Sequence, residues 1–342
     1  MNETVNLCRR CVLHSAMPGV NIDHESGLCQ FCRDPSEISP QERIEAHKDM
    51  DALLHHTRGS GQFDVIYALS GGKDSSYGLY RIKQEHPDLR IRAILFDNGF
   101  ISPQAIRNAR TICDVAGAEF LRLTVQEEFL NRAFRNAAQS HDVYPDAARL
   151  RASDICNTCI SIVKQKLMEA AVVSGAPHIM FAFTPGQTRS PVIRLSPAFM
   201  RWSRSLFEAQ LKKMGISDDD EIFLLKKDVI GREEQNGARY MIHPLLAWDY
   251  DESTILRILG DIGWVPPGLR DKNSTNCLLN SFTIFNHIQK YGFHPYACEI
   301  AGLVRCGTMS REDGLEKLKS GVSIPLVKDI AEKLALSPEF AP

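Results

Sequence analysis

Short apolar runs alternate with stretches of helical periodicity between about residues 63 and 183. The runs are typical of buried strands, and the stretches between them carry apolar residues at helical spacing. Parallel strands need crossover connections, so the alternation predicts an α/β fold, a parallel sheet with helices on both faces. The predicted strands are Val65–Leu69, Ile91–Phe96, Glu119–Leu123 and His178–Phe183.

The crossover helices are predicted at 76–84, at 103–116 and in a long region, 127–174, that is interrupted at 154–159. A further helix is predicted at 39–56, where Pro40 stands near the start. From about residue 191 the pattern is mainly helical, with one short β-like segment at 239–244. Ligands of such sheets bind beyond the carboxyl ends of the strands, so the residues that follow each strand are expected to line one crevice.

Composition narrows the function classes. The chain has 342 residues and a formal net charge of -2, which argues against a nucleic-acid partner that depends on overall charge. The sequence has neither a signal-peptide pattern at Met1 nor an apolar run long enough for a membrane span, so a cytoplasmic protein is expected. Ten cysteines in a reducing compartment favour metal binding or thiol chemistry over disulfides.

A glycine-rich loop follows the first predicted strand. Its sequence is Ser70-Gly71-Gly72-Lys73-Asp74-Ser75, and a helix follows it directly. The glycines allow a tight turn that presents backbone N–H groups, the serines add hydroxyl donors, and the lysine supplies a cation. The spacing differs from that of the Walker loop. The loop is therefore predicted to bind nucleotide phosphates.

Four cysteines near the N-terminus form two C-x-x-C pairs, Cys8 with Cys11 and Cys29 with Cys32. This spacing is typical of a tetrahedral structural zinc site, which leaves no open coordination position for chemistry. A small loop-rich unit of this kind depends on its metal to stay folded. The predicted zinc ligands are these four thiolates.

A further C-x-x-C pair, Cys156 and Cys159, lies in the interruption of the long helical region. A helix that begins after Cys159 would lower a thiol pKa and favour the reactive thiolate. Three interpretations stay open: a sulfur-carrying thiol pair, an iron–sulfur cluster completed by Cys277, and structural cysteines.

The loop resembles that of the PP-loop superfamily, the N-type ATP pyrophosphatases, whose signature is Ser-Gly-Gly-x-Asp-Ser. The resemblance extends over roughly residues 60 to 290 and implies an adenine nucleotide α hydrolase-like fold. It implies cleavage of ATP to AMP and pyrophosphate through an adenylated substrate, usually with Mg²⁺. It also implies adenine contacts by Phe96 and Asp97, and ribose or α-phosphate contacts by Gly186 and Gln187.

The arrangement of cysteines resembles the sulfur-inserting branch of that superfamily, the tRNA thiolation enzymes. Those enzymes combine a zinc knuckle, the phosphate loop, a downstream C-x-x-C and a later single cysteine, which here correspond to Cys156, Cys159 and Cys277. The chain also resembles the guanine-thiolating sulfurtransferases that form 6-thioguanine. Cys113, on the helix after the second strand, is a further candidate thiol.

A second resemblance is to the N-acetyl sugar amidotransferases of the same superfamily. It rests on the N-terminal knuckle and on three segments, which are Asp97–Phe100, Tyr291–His294 and Met309–Asp313. These enzymes adenylate a sugar amide and use ammonia delivered by a partner. A nucleotide-binding module without turnover is a further alternative, although the intact loop argues against it.

The resulting prediction is an ATP-dependent sulfurtransferase. A carbonyl oxygen attacks the α-phosphate, pyrophosphate leaves, and sulfur displaces AMP; Lys73 stabilises phosphate charge, and Asp74 orients the loop or binds Mg²⁺. The expected substrate is a purine base, best guanine, or a sugar amide, and the sulfur comes from sulfide or a donor protein. Candidate pocket residues past the fourth strand are Arg189, Arg194 and Trp202. A symmetric homodimer is the default expectation.

Four regions are predicted along the chain. Residues 1–38 form the zinc-binding knuckle, 39–60 a helical connector, 61–190 the ATP-binding domain and 191–342 a mainly helical C-terminal domain.

Overall fold

The computed structural model describes residues 5–34, 38–56, 61–216, 226–233, 239–267 and 276–340. The end of the predicted connector, 57–60, and the residues 273–275 before Cys277 lie outside the described residues. The described part contains one six-stranded sheet. Its strands are β1 Val65–Ala68, β2 Ile91–Asp97, β3 Glu119–Thr124, β4 His178–Phe181, β5 Val192–Leu195 and β6 Arg239–Ile242.

The sheet order is β3-β2-β1-β4-β6-β5. All neighbouring strands are parallel except β5, which pairs antiparallel with β6 at one edge. The chain passes from β1 to β2 and β3 on one side and returns to β4 on the other side of β1. A crevice therefore opens beyond the carboxyl ends of β1 and β4, at the switch point of the sheet.

The helices cover both faces of the sheet and build the C-terminal region. They are α1 Gln30–Arg33, α2 Pro40–His56, α3 Lys73–Glu85, α4 Pro103–Ala116, α5 Glu127–Gln139, α6 Asp146–Arg149, α7 Asp154–Ser174, α8 Pro197–Lys213, α9 Lys227–Glu233, α10 Glu252–Asp261, α11 Asn280–Tyr291, α12 Ala297–Arg305, α13 Arg311–Lys319 and α14 Ile324–Lys333. The predicted α/β fold, its N-terminal cysteine unit and its helical C-terminal region are confirmed.

Two predictions about the elements were wrong. The interruption of the long helical region lies between α5 and α7, not at 154–159, because Ser153 caps α7 by accepting a hydrogen bond from the backbone N–H of Cys156. Residues 154–159 are thus the first turns of α7. Strand β5 was not predicted, since four residues of mixed burial at a sheet edge carry little periodic signal.

Alternate residues of the strands face two separate cores. On one face, Val65 and Tyr67 pack with α2, α3, α4 and α10, so the helix assigned to a connector contributes Met50 to the main core. On the other face, Ile66 packs with α7, α8 and α9. A third core lies among α5, α7, α11 and α14. These cores leave the carboxyl edge of the sheet as the place where polar segments converge.

The N-terminal unit packs on the C-terminal helices. Val12 and Leu13 share a core with Ala297 and Ile300 of α12. The Arg311 guanidinium of α13 donates to the carbonyl oxygens of Cys11 and Cys8, at 3.2 and 3.0 Å. The N-terminal unit is therefore held against α12 and α13 by both apolar packing and hydrogen bonds.

Among the described residues, no helix combines the length and the apolar character that crossing a membrane requires.

Candidate active site

The loop between β1 and α3 is closed by its own serines. Ser75 Oγ accepts from the backbone N–H of Ser70 at 3.1 Å and lies 2.9 Å from Ser70 Oγ, while Ser70 Oγ accepts from the N–H of Gly72 at 3.3 Å. Gly72 is the N-cap of α3 and has no side chain to bond the first-turn amides. The loop thus brings hydroxyls and a helix N-terminus to one point, the arrangement that binds phosphate.

Gly71 holds the loop against α4. Its φ is +73°, and a Cβ at this position would lie 2.0 Å from the carbonyl oxygen of Ala105. On the loop's other side, Trp264 donates its indole N–H to the carbonyl oxygen of Gly71 at 3.0 Å. No local pattern points to Trp264, because its contact with Gly71 depends on how the C-terminal region folds back.

Lys73 and Asp74 form a compact polar cluster with two C-terminal residues. Lys73 Nζ is 2.9 Å from Asp74 Oδ1 and 2.7 Å from the Tyr250 hydroxyl. That hydroxyl donates to Asp74 Oδ1 at 2.8 Å. Glu252 Oε1 lies 3.8 Å from Lys73 Nζ. Burial alone would lower the pKa of Lys73, but Asp74, Tyr250 and Glu252 reverse this and raise it. The lysine is therefore held as a cation at the loop.

Glu299 of α12 faces the same crevice from the opposite side. Its carboxylate accepts from Thr184 Oγ1 at 3.1 Å and from Gln187 Nε2 at 3.3 Å. Burial and the negative charge of Asp74 raise the pKa of Glu299, while Lys73 and Thr184 act to lower it. Because Lys73 and Asp74 belong to the phosphate loop, their effect shows that the Glu299 carboxylate lies within electrostatic reach of that loop. Sequence reasoning missed Glu299; its one local signal is a carboxylate among the apolar residues of α12, which does not indicate the phosphate loop as its neighbour.

Gly186 permits this approach. A Cβ on Gly186 would lie 2.1 Å from the carbonyl oxygen of Glu299, so only glycine fits between the turn after β4 and helix α12. The side chain of Gln187 also accepts from the N–H of Thr184 at 3.0 Å, which closes the turn. The two residues expected to contact ribose or α-phosphate thus form a tight turn at the carboxyl end of β4.

The end of β2 supplies Asp97, which is nearly buried. Asp97 forms a salt bridge with Arg122 and accepts from the N–H of Gly99 at 2.9 Å. Phe96 is also buried and packs in the core among α5, α7, α11 and α14. Their contacts with adenine stay a prediction.

Three cysteines gather beside the end of β2. Asn98 Nδ2 is 3.5 Å from Cys159 Sγ and 3.7 Å from Cys277 Sγ. Cys277 is brought there because its segment pairs with Ile101 through an isolated bridge. Cys156 lies one turn before Cys159 on α7, with Sγ 3.8 Å from Thr283 Oγ1. The structure thus places Cys159 and Cys277 around Asn98, while the thiol of Cys156 contacts Thr283 one helical turn away.

These thiols are not activated by a helix N-terminus. Burial raises the pKa of Cys159 to about 12, with Cys277 adding to the effect, and burial also raises the pKa of Cys156. The expectation of a lowered thiol pKa was wrong: although Cys156 lies in the first turn of α7, desolvation of the thiolate outweighs the helix dipole.

The start of α7 is anchored by a buried ion pair. Asp154 accepts from Lys290 Nζ at 2.6 Å and from the Tyr291 hydroxyl at 2.6 Å. Lys290 also donates to the carbonyl oxygens of Ala137 and Ser140. This contact with α11 sets where the cysteines of α7 lie.

Cys113 lies apart from these thiols. It is 1% exposed among the apolar side chains between α4 and the sheet, and burial, together with Asp114, raises its pKa to about 12. Its role as a nucleophile stays a prediction, and this placement supports a packing role instead.

The N-terminal cysteines form a compact four-sulfur group. Cys8, Cys11, Cys29 and Cys32 are buried, with Sγ atoms within 4.8 Å of one another and with Cys8–Cys32 and Cys11–Cys29 separations of 3.8 and 3.6 Å. Zn–S bonds of about 2.3 Å in a tetrahedron place sulfurs about 3.8 Å apart. The thiols therefore match the donor set and spacing of a structural zinc site.

The three candidate pocket residues past β4 are dispersed. Arg189 lies over the Phe31 ring at 5.9 Å, Arg194 is exposed on β5, and Trp202 is 59% exposed on α8 beside Phe199. The structure does not bring these three side chains together.

No protein-family model matches the chain. It is 23% identical over 330 residues to the uncharacterized protein MJ1599 of Methanocaldococcus jannaschii, covering 96% of this chain and 97% of that protein. Among solved structures it is similar to the U34-tRNA thiolase NcsA from Methanococcus maripaludis with its 4Fe-4S cluster, at 15% identity and a TM-score of 0.35 over 98% of this chain and 92% of that chain.

A second similar structure is the NH3-dependent NAD synthetase from Campylobacter jejuni, at 15% identity and a TM-score of 0.31 over 57% of this chain and 92% of that chain. A third is the NMN synthetase from Francisella tularensis, at 13% identity and a TM-score of 0.30 over 58% and 87%. The case for a function therefore rests on the side chains of the crevice itself.

Proposed function

We propose that this chain is a PP-loop ATP pyrophosphatase that adenylates a carbonyl oxygen of a small substrate and replaces that oxygen with sulfur. The observation that carries the proposal is that a phosphate-binding loop and two thiols lie at the same edge of the sheet. The Ser70–Ser75 loop with Lys73 lies after β1, and the thiols of Cys159 and Cys277 lie around Asn98, after the neighbouring strand β2.

The first step is adenylation. The substrate's carbonyl oxygen forms a bond to the α-phosphorus of ATP, the bond from that phosphorus to the bridging oxygen breaks, and pyrophosphate leaves. The loop amides and Lys73 stabilise the charge that builds on the phosphates. Asp74 and Glu299 would hold Mg²⁺, which prefers carboxylate oxygens and supplies charge neutralisation.

The second step replaces the oxygen. A hydrosulfide ion adds to the activated carbon, the carbon–oxygen bond to AMP breaks, and the adduct loses a proton to give a thioamide. With a donor protein, the incoming sulfur is a persulfide on Cys159 or Cys277. The other thiol then cleaves the S–S bond of the adduct, and a dithiol reductant returns the resulting disulfide to thiols.

An ammonia-using reaction is the second candidate. It is favoured by the raised pKa of Cys156 and of Cys159, because a buried neutral thiol is a poor nucleophile near neutral pH. Ammonia would displace AMP from the same adenylate and give an amidine. The thiols of Cys156, Cys159 and Cys277 would then be structural or would bind an iron–sulfur cluster.

The test supplies purified protein with ATP, Mg²⁺ and either sulfide or ammonium, and with guanine, an acetamido sugar or bulk tRNA as acceptor. Pyrophosphate release and product mass are measured. Sulfur in place of oxygen on a small molecule is the expected result. An amidine product would refute sulfur transfer and support the ammonia-using reaction. Absence of pyrophosphate with every acceptor would refute adenylation.

Two matched pairs of variants locate the chemistry. Lys73→Met is expected to abolish pyrophosphate release, whereas Lys328→Met, on the exposed side of α14, is expected to leave it unchanged. Cys277→Ser is expected to stop sulfur transfer from a persulfide donor while pyrophosphate release continues, and Cys306→Ser, after α12, serves as its control. Anaerobic purification with an iron assay separates bare thiols from a cluster.

A further inference from the structure

Two histidines and two carboxylates gather between α2 and the end of α3, in a place that the proposed chemistry does not use. His47 and Asp51 lie one turn apart on α2, Glu85 is the last residue of α3, and His86 follows it directly. Glu85 is separated from Lys73, at the start of the same helix, by about 18 Å along the helix axis. The cluster is therefore remote from the phosphate loop.

Three side chains of this cluster bring their ligand atoms together. His47 Nε2 lies 3.3 Å from Glu85 Oε2 and 3.8 Å from Asp51 Oδ1. Each of the three residues has a ligand atom within 4.8 Å of the ligand atoms of the other two. Zinc bonds of about 2.1 Å in a tetrahedron place neighbouring nitrogen and oxygen ligands about 3.4 Å apart. Small movements of these side chains therefore allow all three to bind one ion.

Neighbouring residues hold both carboxylates in place. Trp248, which is 2% exposed, donates its indole N–H to Glu85 Oε2 at 3.0 Å, and Arg81 Nε donates to Glu85 Oε1 at 2.8 Å. The other carboxylate is held by His86, whose Nε2 lies 3.0 Å from Asp51 Oδ1. Hydrogen bonds of this kind orient the ligands of metal sites in proteins.

Hydrogen bonding alone does not account for the convergence of two carboxylates on one imidazole nitrogen. His47 Nε2 can donate one proton, and its separation of 3.8 Å from Asp51 Oδ1 is too long for a hydrogen bond. The negative charges of Asp51 and Glu85 also repel each other. A divalent cation would be bound by all three atoms at once and would remove that repulsion.

The ligand atoms favour one class of metal. Mg²⁺ and Ca²⁺ prefer sites that consist of oxygen atoms. Imidazole together with carboxylates is typical of zinc and of other divalent transition metals. The side chains of His47, Asp51 and Glu85 are 36%, 40% and 26% exposed, so an ion can enter from solvent and water can complete its coordination.

We propose that His47, Asp51 and Glu85 bind a zinc ion that ties α2 to the end of α3. This site is separate from the four-cysteine group, and the inference does not depend on the proposed function. Helix α2 already contributes Met50 to the main core, and the zinc ion fastens its polar face as well. Because only the folded chain brings the two helices together, zinc binding here stabilises the fold.

The test titrates Zn²⁺ into the full-length chain by calorimetry, with Mg²⁺ in excess and without a purification tag. An ion held by partly exposed ligands exchanges readily, so dialysed protein starts with this site empty. His47→Gln removes the imidazole, and Glu85→Gln keeps an acceptor for Trp248 but removes the negative charge. Each variant is expected to bind this zinc ion about tenfold or more weakly than wild type. The control is His56→Gln, on the same helix and outside the cluster, which is expected to match wild type.

Two further measurements distinguish this site from the four-cysteine group. Co²⁺ bound by nitrogen and oxygen has no sulfur-to-cobalt charge-transfer absorption, so His47→Gln is expected to lose only visible d–d absorption. Added zinc is expected to raise the urea concentration at the unfolding midpoint of wild type more than that of His47→Gln. The comparison of wild type with a variant cancels any zinc that the cysteines bind.

Equal zinc binding by wild type, His47→Gln and Glu85→Gln would overturn the site, and so would the absence of zinc binding beyond that of the four-cysteine group. Displacement of the zinc ion by an equal concentration of Mg²⁺ would overturn the choice of metal.

Discussion

Replacing Gly71 with alanine tests whether the phosphate loop depends on a close approach to α4. Gly71 has a φ of +73°, and the added Cβ would lie 2.0 Å from the carbonyl oxygen of Ala105. Gly117 provides a matched control, because its φ is +62° and nothing lies within 4 Å of a Cβ built there. Both substitutions place an L side chain in the left-handed region, and only the first one also creates a clash.

The magnitude follows from these two terms. The left-handed conformation costs an alanine about 1 to 2 kcal/mol, which is the expected loss for Gly117→Ala. A carbon–oxygen contact of 2.0 Å must open by more than about 1 Å. Such overpacking adds about 1 to 3 kcal/mol, so Gly71→Ala is expected to lose about 2 to 5 kcal/mol of unfolding free energy.

The assay is urea unfolding of both variants, together with ATP binding by calorimetry. Because the loop must shift away from Ala105 to accept the methyl group, Gly71→Ala is also expected to weaken ATP binding, whereas Gly117→Ala is expected to bind ATP as wild type does. Equal losses of unfolding free energy in the two variants, with equal ATP affinity, would refute the close-approach argument.

Three further predictions concern other parts of the chain. Asp154→Asn leaves Lys290 without its buried carboxylate, so a loss of about 3 to 5 kcal/mol is expected in urea unfolding; Asp142→Asn, in an exposed pair, should change it by less than about 1 kcal/mol. The chain is expected to bind one zinc ion, measured by atomic emission, and Cys29→Ser to lose it. Burial lowers the pKa of His287 from 6.5 to about 3. At pH values between these two, the imidazole is protonated in the unfolded chain but neutral in the folded protein. The free energy of unfolding should therefore fall as pH drops below about 6.5, by up to about 1.4 kcal/mol per pH unit, and His287→Leu should flatten that dependence.

Local patterns predicted the parts of the fold that depend on local chemistry. The strand and helix around Ser70 to Ser75 were found because apolar runs and glycine punctuation describe a βα unit directly. The start of α4 at Pro103 was predicted for the same reason, since proline is favoured in the first turn. The grouping of Cys8, Cys11, Cys29 and Cys32, which could hold a metal ion, was predicted from their spacing alone.

The rest of the candidate site depends on contacts between distant segments. Glu299 and Tyr250 reach the phosphate loop only because the C-terminal region folds back over the sheet, and no local pattern around either residue encodes that. The start of α7 was misplaced for a similar reason. The helical region is interrupted before Asp154 and not at 154–159, because Ser153 caps the helix and Asp154 pairs with Lys290. Tertiary contacts thus decided what periodicity left ambiguous.

The packing of the N-terminal cysteine unit on α12 and α13 has a consequence for synthesis on the ribosome. The unit emerges well before the helices that cover Val12 and Leu13. During the interval its apolar face has no partner, and a metal ion held by the four thiols would keep the segment ordered. A nascent chain released before α12 is complete would expose that face, which makes it a natural target for chaperones and proteases.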